Sequence, residues 1–153
     1  MSNEILQIKA KIQVAKSAAE VFEAIVDPAK MSNYFIASGS GRMEAGAQLD
    51  WRFPEFDMVV PVRVGKVEKG NYVSYEWDGA DGSKTLVEMT LEPATTGSGT
   101  VVLVTEKEMN NDEAGIKWLK GNTEGWANFL ACLKAYLEHG INLRTGAYDF
   151  MKK

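Results

Sequence analysis

Between residues 39 and 109 the chain alternates apolar and polar residues in short runs, and a turn signal closes each run. Leu49/Trp51/Phe53, Val60/Val62/Val64, Val73/Tyr75/Trp77, Val87/Met89/Leu91 and Val102/Val104 each point one way, with mostly polar neighbours pointing the other. Period two is the signature of a strand with one buried face. Gly46, Gly70-Asn71, Asp78-Gly79, Asp81-Gly82 and Gly97-Ser98-Gly99 supply the turns, and connections this short make hairpins, not helical crossovers. The segment therefore predicts an antiparallel meander, continuous and strongly twisted.

The flanks are different. Residues 5–14 alternate with Leu6, Ile8, Ala10, Ile12 and Val14 on one face, which adds a strand ahead of the meander. Ser17-Ala-Ala-Glu20 is a capping box, and Val21, Phe22, Ile25 and Val26 follow at helical spacing until Asp27-Pro28. Asp27 then caps a second short helix with Pro28 at its first position and Met31, Tyr34 and Phe35 as its apolar side. The last element is a helix over residues 122–139, with an extension back to about residue 112 left open. Trp126, Phe129, Leu130, Leu133, Tyr136 and Leu137 share one stripe of it. His139-Gly140 closes it. The tail still carries Ile141, Leu143, Tyr148 and Phe150, so it is expected to pack down.

Length and composition restrict the function. The 153 residues suit one domain over 1–153, and 45% hydrophobic with 25% charged residues is ordinary for a chain with a full core. No repeat or linker divides it. One cysteine, Cys132, and one histidine, His139, cannot build a disulfide, a zinc finger or a two-histidine metal site within one chain. No metal and no cofactor are expected. A net charge of -4 has the wrong sign for nucleic acid. The N-terminus has no signal-peptide core and no stretch is long enough to span a bilayer, so the expectation is a cytoplasmic protein without membrane insertion.

Strand, two short helices, an antiparallel meander and a long amphipathic helix make an α+β helix-grip fold, a curved antiparallel sheet wrapped round a C-terminal helix. The chain resembles the START-like (SRPBCC) superfamily, in particular single-domain proteins related to the C-terminal domain of the heat-shock-protein-90 ATPase activator. The resemblance rests on the run from Val21 to Pro28 with Asn33-Tyr34-Phe35, on the runs Val67 to Trp77, Val87 to Pro93 and Gly99 to Thr105, and on Gly125-Trp126 with Leu130, Leu133, Lys134, Tyr136, Leu137 and Glu138. These pieces cover roughly residues 5–140, and their order and spacing carry the likeness. Three positions depart from the family pattern: Asn33 or Tyr34 where members usually have tryptophan, Ala45-Gly46 where they have a glycine pair, and Glu106 where they often have histidine. The co-chaperone's separate N-terminal domain has no room in this length, so the resemblance does not imply ATPase activation.

What it does imply is an apolar cavity for a lipid, sterol, polyketide or aromatic molecule. Four tryptophans, five tyrosines and six phenylalanines are available to line one. Trp51, Phe53, Tyr75, Trp77 and Met89 fall on the inner strand face, and Trp126, Phe129, Leu130 and Leu133 on the helix face. Ordinary core is the competing assignment for each. Asn122 and Glu106 are the polar candidates. Asn122 projects onto the centre of the apolar stripe if the helix reaches that far, and is otherwise an N-cap. Glu106 continues the inward alternation, as a buried acid or as a solvated strand end. Glycines 115, 121 and 125 cost roughly 1 kcal/mol each inside a helix, which points to close backbone approach, a loosened gate, or a loop over 110–121.

Three functions follow as expectations. The first is a non-enzymatic domain that binds a small apolar or aromatic molecule. The second is a chaperone-accessory or stress-related module with a protein partner. The third is a cyclase-like enzyme in which Glu106 and Tyr75 move protons.

Overall fold

A computed structural model describes residues 4–79 and 82–152. The chain order is β1 (Leu6–Val14), α1 (Ala18–Val26), α2 (Pro28–Met31), β2 (Ser38–Gly39), β3 (Gln48–Arg52), β4 (Val59–Glu68), β5 (Tyr72–Asp78), β6 (Lys84–Pro93), β7 (Thr100–Met109) and α3 (Glu113–His139). A 3₁₀ turn at Asp149–Met151 follows. Seven strands form one antiparallel sheet in the order β1-β7-β6-β5-β4-β3-β2. This is the helix-grip architecture, with the meander pairing neighbour to neighbour and β1 closing against β7. Asp81, half of one expected turn, lies outside the described residues.

Local chemistry sets the ends of the short helices. Ser17 Oγ accepts from the Glu20 backbone N–H at 3.2 Å, satisfying a free donor of the first turn of α1. Asp27 Oδ1 accepts from Ala29 N at 2.9 Å and so starts α2 with Pro28 inside it. Tyr34, just past α2, is fully buried and its hydroxyl donates to Ala24 O at 2.8 Å, which locks the two helices together.

The sheet bends where β4 carries an irregularity between Val64 and Val67 opposite β5. Gly65 belongs there because a Cβ would stand 2.8 Å from Ser74 Oγ, and that hydroxyl instead accepts from Lys66 N at 3.0 Å. The bend turns the inner sheet face round α3. Val62, Val64, Val73, Tyr75, Val87, Met89, Leu91, Val102 and Val104 on that face are all buried, and so are Phe129, Leu130 and Leu133 on the helix.

The long helix starts earlier than its apolar stripe suggests. Asp112 is its N-cap, accepting from Gly115 N at 2.8 Å, and Gly140 in the left-handed conformation is its C-cap. Residues 110–121 are therefore mostly helix, and the loop alternative falls. The tail is only partly packed: Tyr148 is half-buried, whereas Ile141, Leu143 and Phe150 are exposed, against the expectation that they pack down.

Candidate functional site

The inward alternation of β7 delivers Glu106 to the middle of the concave sheet face, opposite Val87 on β6 and Ile8 on β1. It is fully buried, not a solvated strand end. Its Oε1 accepts from Trp126 Nε1 at 2.8 Å and from Asn122 Nδ2 at 3.0 Å. Oε2 accepts from Trp77 Nε1 at 2.9 Å and from Thr85 Oγ1 at 2.5 Å. A carboxylate offers about four lone-pair positions, and four donors from β5, β6 and α3 occupy them. Asn122 is thus a mid-helix residue tied to Glu106, and the N-cap alternative is excluded.

Beside this knot the helix and sheet part to leave a hydrophobic cleft of about 460 Å³. Phe35, Phe53, Val60, Trp77 and Trp126 give it apolar and aromatic walls. Asn122, Glu55 and Arg144 bring polar groups to it, and Phe56, Met58 and Met151 stand exposed at its mouth. Apolar walls with a few convergent polar groups are what a small-molecule site requires, and the volume falls in the usual range of roughly 300–1,000 Å³.

Phe35 organises the wall. Its ring meets Phe53 edge-on at 5.2 Å and Phe129 at 4.7 Å, and lies 6.1 Å from Trp126. Trp77 and Trp126 are 5.5 Å apart across the helix–sheet junction. Such ring pairs add stability beyond the area they bury. The tail contributes Arg144, whose guanidinium sits over Tyr148 at 4.8 Å, Phe53 at 5.4 Å and Phe35 at 5.7 Å. Its Nη2 also pairs with Glu55 Oε1. Glu55 Oε2 and Arg144 Nε are buried without a partner.

The structure divides the residues singled out from the sequence into three groups. Phe53, Trp77, Asn122 and Trp126 line the cleft. Trp51, Tyr75, Met89, Phe129, Leu130 and Leu133 fill the core beside it, each 2% exposed or less. Glu106 sits behind the wall and anchors it. Tyr75 is held in its neutral form: burial drives its phenol well above the ordinary value, and the charges of Glu106 and Tyr34 add to the effect. His139 is exposed at the helix end, while Cys132 is buried, which raises its thiol above the usual value. No group of three or more metal-ligating side chains occurs among the described residues.

Sequence reasoning did not identify Glu55, Phe56, Met58, Arg144 or Met151 as neighbours of the cleft. The tail's apolar content was the only signal, and of the residues it singled out Tyr148 alone lines the cleft. Phe35 was legible as a helix-side apolar residue but not as a cleft wall.

The family model described as "Activator of Hsp90 ATPase homolog 1-like protein" matches residues 15–138. Comparison with curated proteins finds no match. Among solved structures, protein SSP2350 from Staphylococcus saprophyticus is 34% identical with a TM-score of 0.79, over 91% of this chain and 96% of that one. DynU16, a putative protein in the dynemicin biosynthetic locus, is 25% identical with a TM-score of 0.76, over 88% of this chain and 48% of that one. The Aha1 dimer from Colwellia psychrerythraea shares the fold at 20% identity and a TM-score of 0.74, over 88% of this chain and 98% of that one.

Proposed function

Because the chain belongs to the activator of Hsp90 ATPase homolog 1-like family and has its START-like fold, we propose that it binds a small apolar or aromatic molecule in the cleft between α3 and the sheet, without transforming it. The observation that carries this reading is the cleft itself, about 460 Å³ with Phe35, Phe53, Trp77 and Trp126 in its walls. Phe53, Trp77, Asn122 and Trp126 are the contact residues under this reading. Trp51, Tyr75, Met89, Phe129, Leu130 and Leu133 support them from the core.

The geometry of Glu106 favours binding over proton transfer. A general base must reach the proton it takes, and all the acceptor positions of this carboxylate are occupied by protein donors. Tyr75, the other proton-transfer candidate, is fully buried and does not line the cleft. No helix among the described residues is long and apolar enough to cross a membrane, and the net charge opposes nucleic acid.

The test is a titration of lipids and small aromatics read by tryptophan fluorescence and thermal shift. Trp77 and Trp126 line the cleft, so occupancy changes their emission. Absence of binding across the panel sinks the reading.

Exposed Phe56, Met58, Phe150 and Met151 favour a second reading, a docking module for a protein partner such as a chaperone. Direct mixing with purified heat-shock protein 90, followed by calorimetry, separates the two. No heat of association counts against this second reading.

A further inference from the structure

Resting on the cleft reading above, we propose that the cleft selects an aromatic cation, whose rings lie along the wall of Phe53, Trp77 and Trp126 while its ammonium group points toward Glu124. The charges around the cleft do not balance. Of the side chains that line it, Arg144 is paired with Glu55 and Asp78 with Lys84, so each of those pairs is neutral. Glu124 is left over. It lines the cleft, is exposed, and forms no hydrogen bond or ion pair among the described residues. Lys120, one helical turn earlier, lies outside the lining and does not pair with it.

A second negative charge stands directly behind the wall. Glu106 is fully buried, and its four partners, Trp77, Thr85, Asn122 and Trp126, are all neutral groups. It belongs to none of the ion pairs among the described residues, although a buried charge is ordinarily paired with its opposite. The two indoles that donate to it are the same two that line the cleft. An aromatic ring is already negative on its face, and a hydrogen bond to a carboxylate polarises the donor further in that sense. Tryptophan is the best of the aromatic partners for a cation, the more so where water is excluded. Glu106 therefore acts through the indoles and by its field, which salt screens little at a buried site, without touching the ligand. An anion has nothing to meet. A carboxylate or phosphate entering the cleft would lose its water beside Glu124, with the one lining arginine already taken by Glu55.

Calorimetric titration with three probes of one shape tests the inference: 2-naphthylmethylamine, positive at neutral pH, 2-naphthalenemethanol, uncharged, and 2-naphthoate, negative. At low salt the wild-type chain is expected to bind the amine about threefold or more tighter than the alcohol, and about tenfold or more tighter than the naphthoate, as a cation on an aromatic wall should. Glu124→Gln should weaken the amine about two- to fivefold, the range of an exposed charge pair, and leave the alcohol unchanged. Raising salt to about 0.5 M should remove only that part in the wild type, and a preference for the amine over the naphthoate should remain because Glu106 is buried. Alcohol or naphthoate binding as tightly as the amine overturns the inference and leaves the cleft reading intact, as does binding of other panel members with none of the three probes. Unchanged amine affinity in Glu124→Gln overturns the role of Glu124. A preference that salt abolishes in the wild type overturns the role of Glu106, and this measurement stands whether or not the variant folds. If the wild type binds neither the probes nor any member of the wider panel, the cleft reading falls and this inference falls with it.

Discussion

Trp126 and Glu106 join helix to sheet through a hydrogen bond of 2.8 Å from the indole Nε1 to Oε1. The indole is therefore a fixed wall of the cleft on one side and a bolt into the middle of β7 on the other. Trp77 repeats the arrangement from β5, donating to Oε2 at 2.9 Å. One carboxylate thereby fixes two adjoining aromatic rings, 5.5 Å apart, in the wall of the cleft.

Glu106→Gln is expected to lower stability by on the order of 3 kcal/mol. The amide keeps one acceptor oxygen and turns an NH₂ toward two of the four donors, leaving buried polar groups unpaired at about 1–3 kcal/mol each. Urea unfolding measures the loss. An unchanged midpoint would show that the four-donor arrangement contributes nothing.

Leu133→Ala and Trp126→Ala separate core from cleft. Leu133 is fully buried away from the cleft and Trp126 is 3% exposed within its wall. Truncation should cost about 2–5 kcal/mol at Leu133 and about 3–5 kcal/mol at Trp126. Only the tryptophan variant should change ligand affinity in a fluorescence or calorimetric titration. Equal changes in affinity for both variants would contradict the division.

The sheet was readable because burial on one strand face leaves a period of two, visible from Leu6 to Val104. The helix caps were readable because Ser17 and Asp27 each have one chemical task. The start of α3 was harder. Its first turns carry glycine at 115 and 121, which breaks the apolar stripe, and its cap at Asp112 lies in a cluster that also reads as a turn. Glu106 could be placed inward from its alternation alone, but its four partners come from three different elements, and no local pattern encodes that meeting. The Glu55–Arg144 pair is separated by 89 residues and has no periodic signature at all.

Acid should loosen the attachment of the end of α3 to the β1–α1 corner. Glu138 accepts from Lys134 Nζ at 2.6 Å and from Ala15 N at 2.8 Å, while Lys134 also donates to Gln13 O. The Lys134 hydrogen bond, and then the Ala15 N–H, hold the carboxyl below its ordinary value of 4.5. A carboxyl depressed in the folded state contributes stability above its unfolded value and loses it as pH falls through the folded one. Wild-type stability should therefore drop as pH falls below about 4.5, and Glu138→Gln should flatten part of that slope. Glu88 and Glu23 are depressed in the same direction by Tyr72 and Arg42, so some slope persists. Parallel acid titrations of thermal midpoint decide it, and identical slopes in the two proteins would remove Glu138 from the account.

Arg144 fastens the tail over the cleft through two different interactions, its pair with Glu55 and its stacking on Phe35, Phe53 and Tyr148. Arg144→Met leaves the Glu55 carboxylate buried and unpaired. The cost should be about 2–3 kcal/mol, less than the 3–5 kcal/mol typical of a fully buried pair, because the Arg144 side chain keeps 16% of its exposure. Arg144→Lys retains the charge but lacks the planar group that lies on the rings, and should fall between the two. Released from its anchor, the segment from Ile141 to Lys152 should be cut faster by a protease, with the core of the sheet left intact. Limited proteolysis followed by mass spectrometry reads the cut site directly, and wild-type resistance in Arg144→Met would mean that the tail is held by something other than this residue.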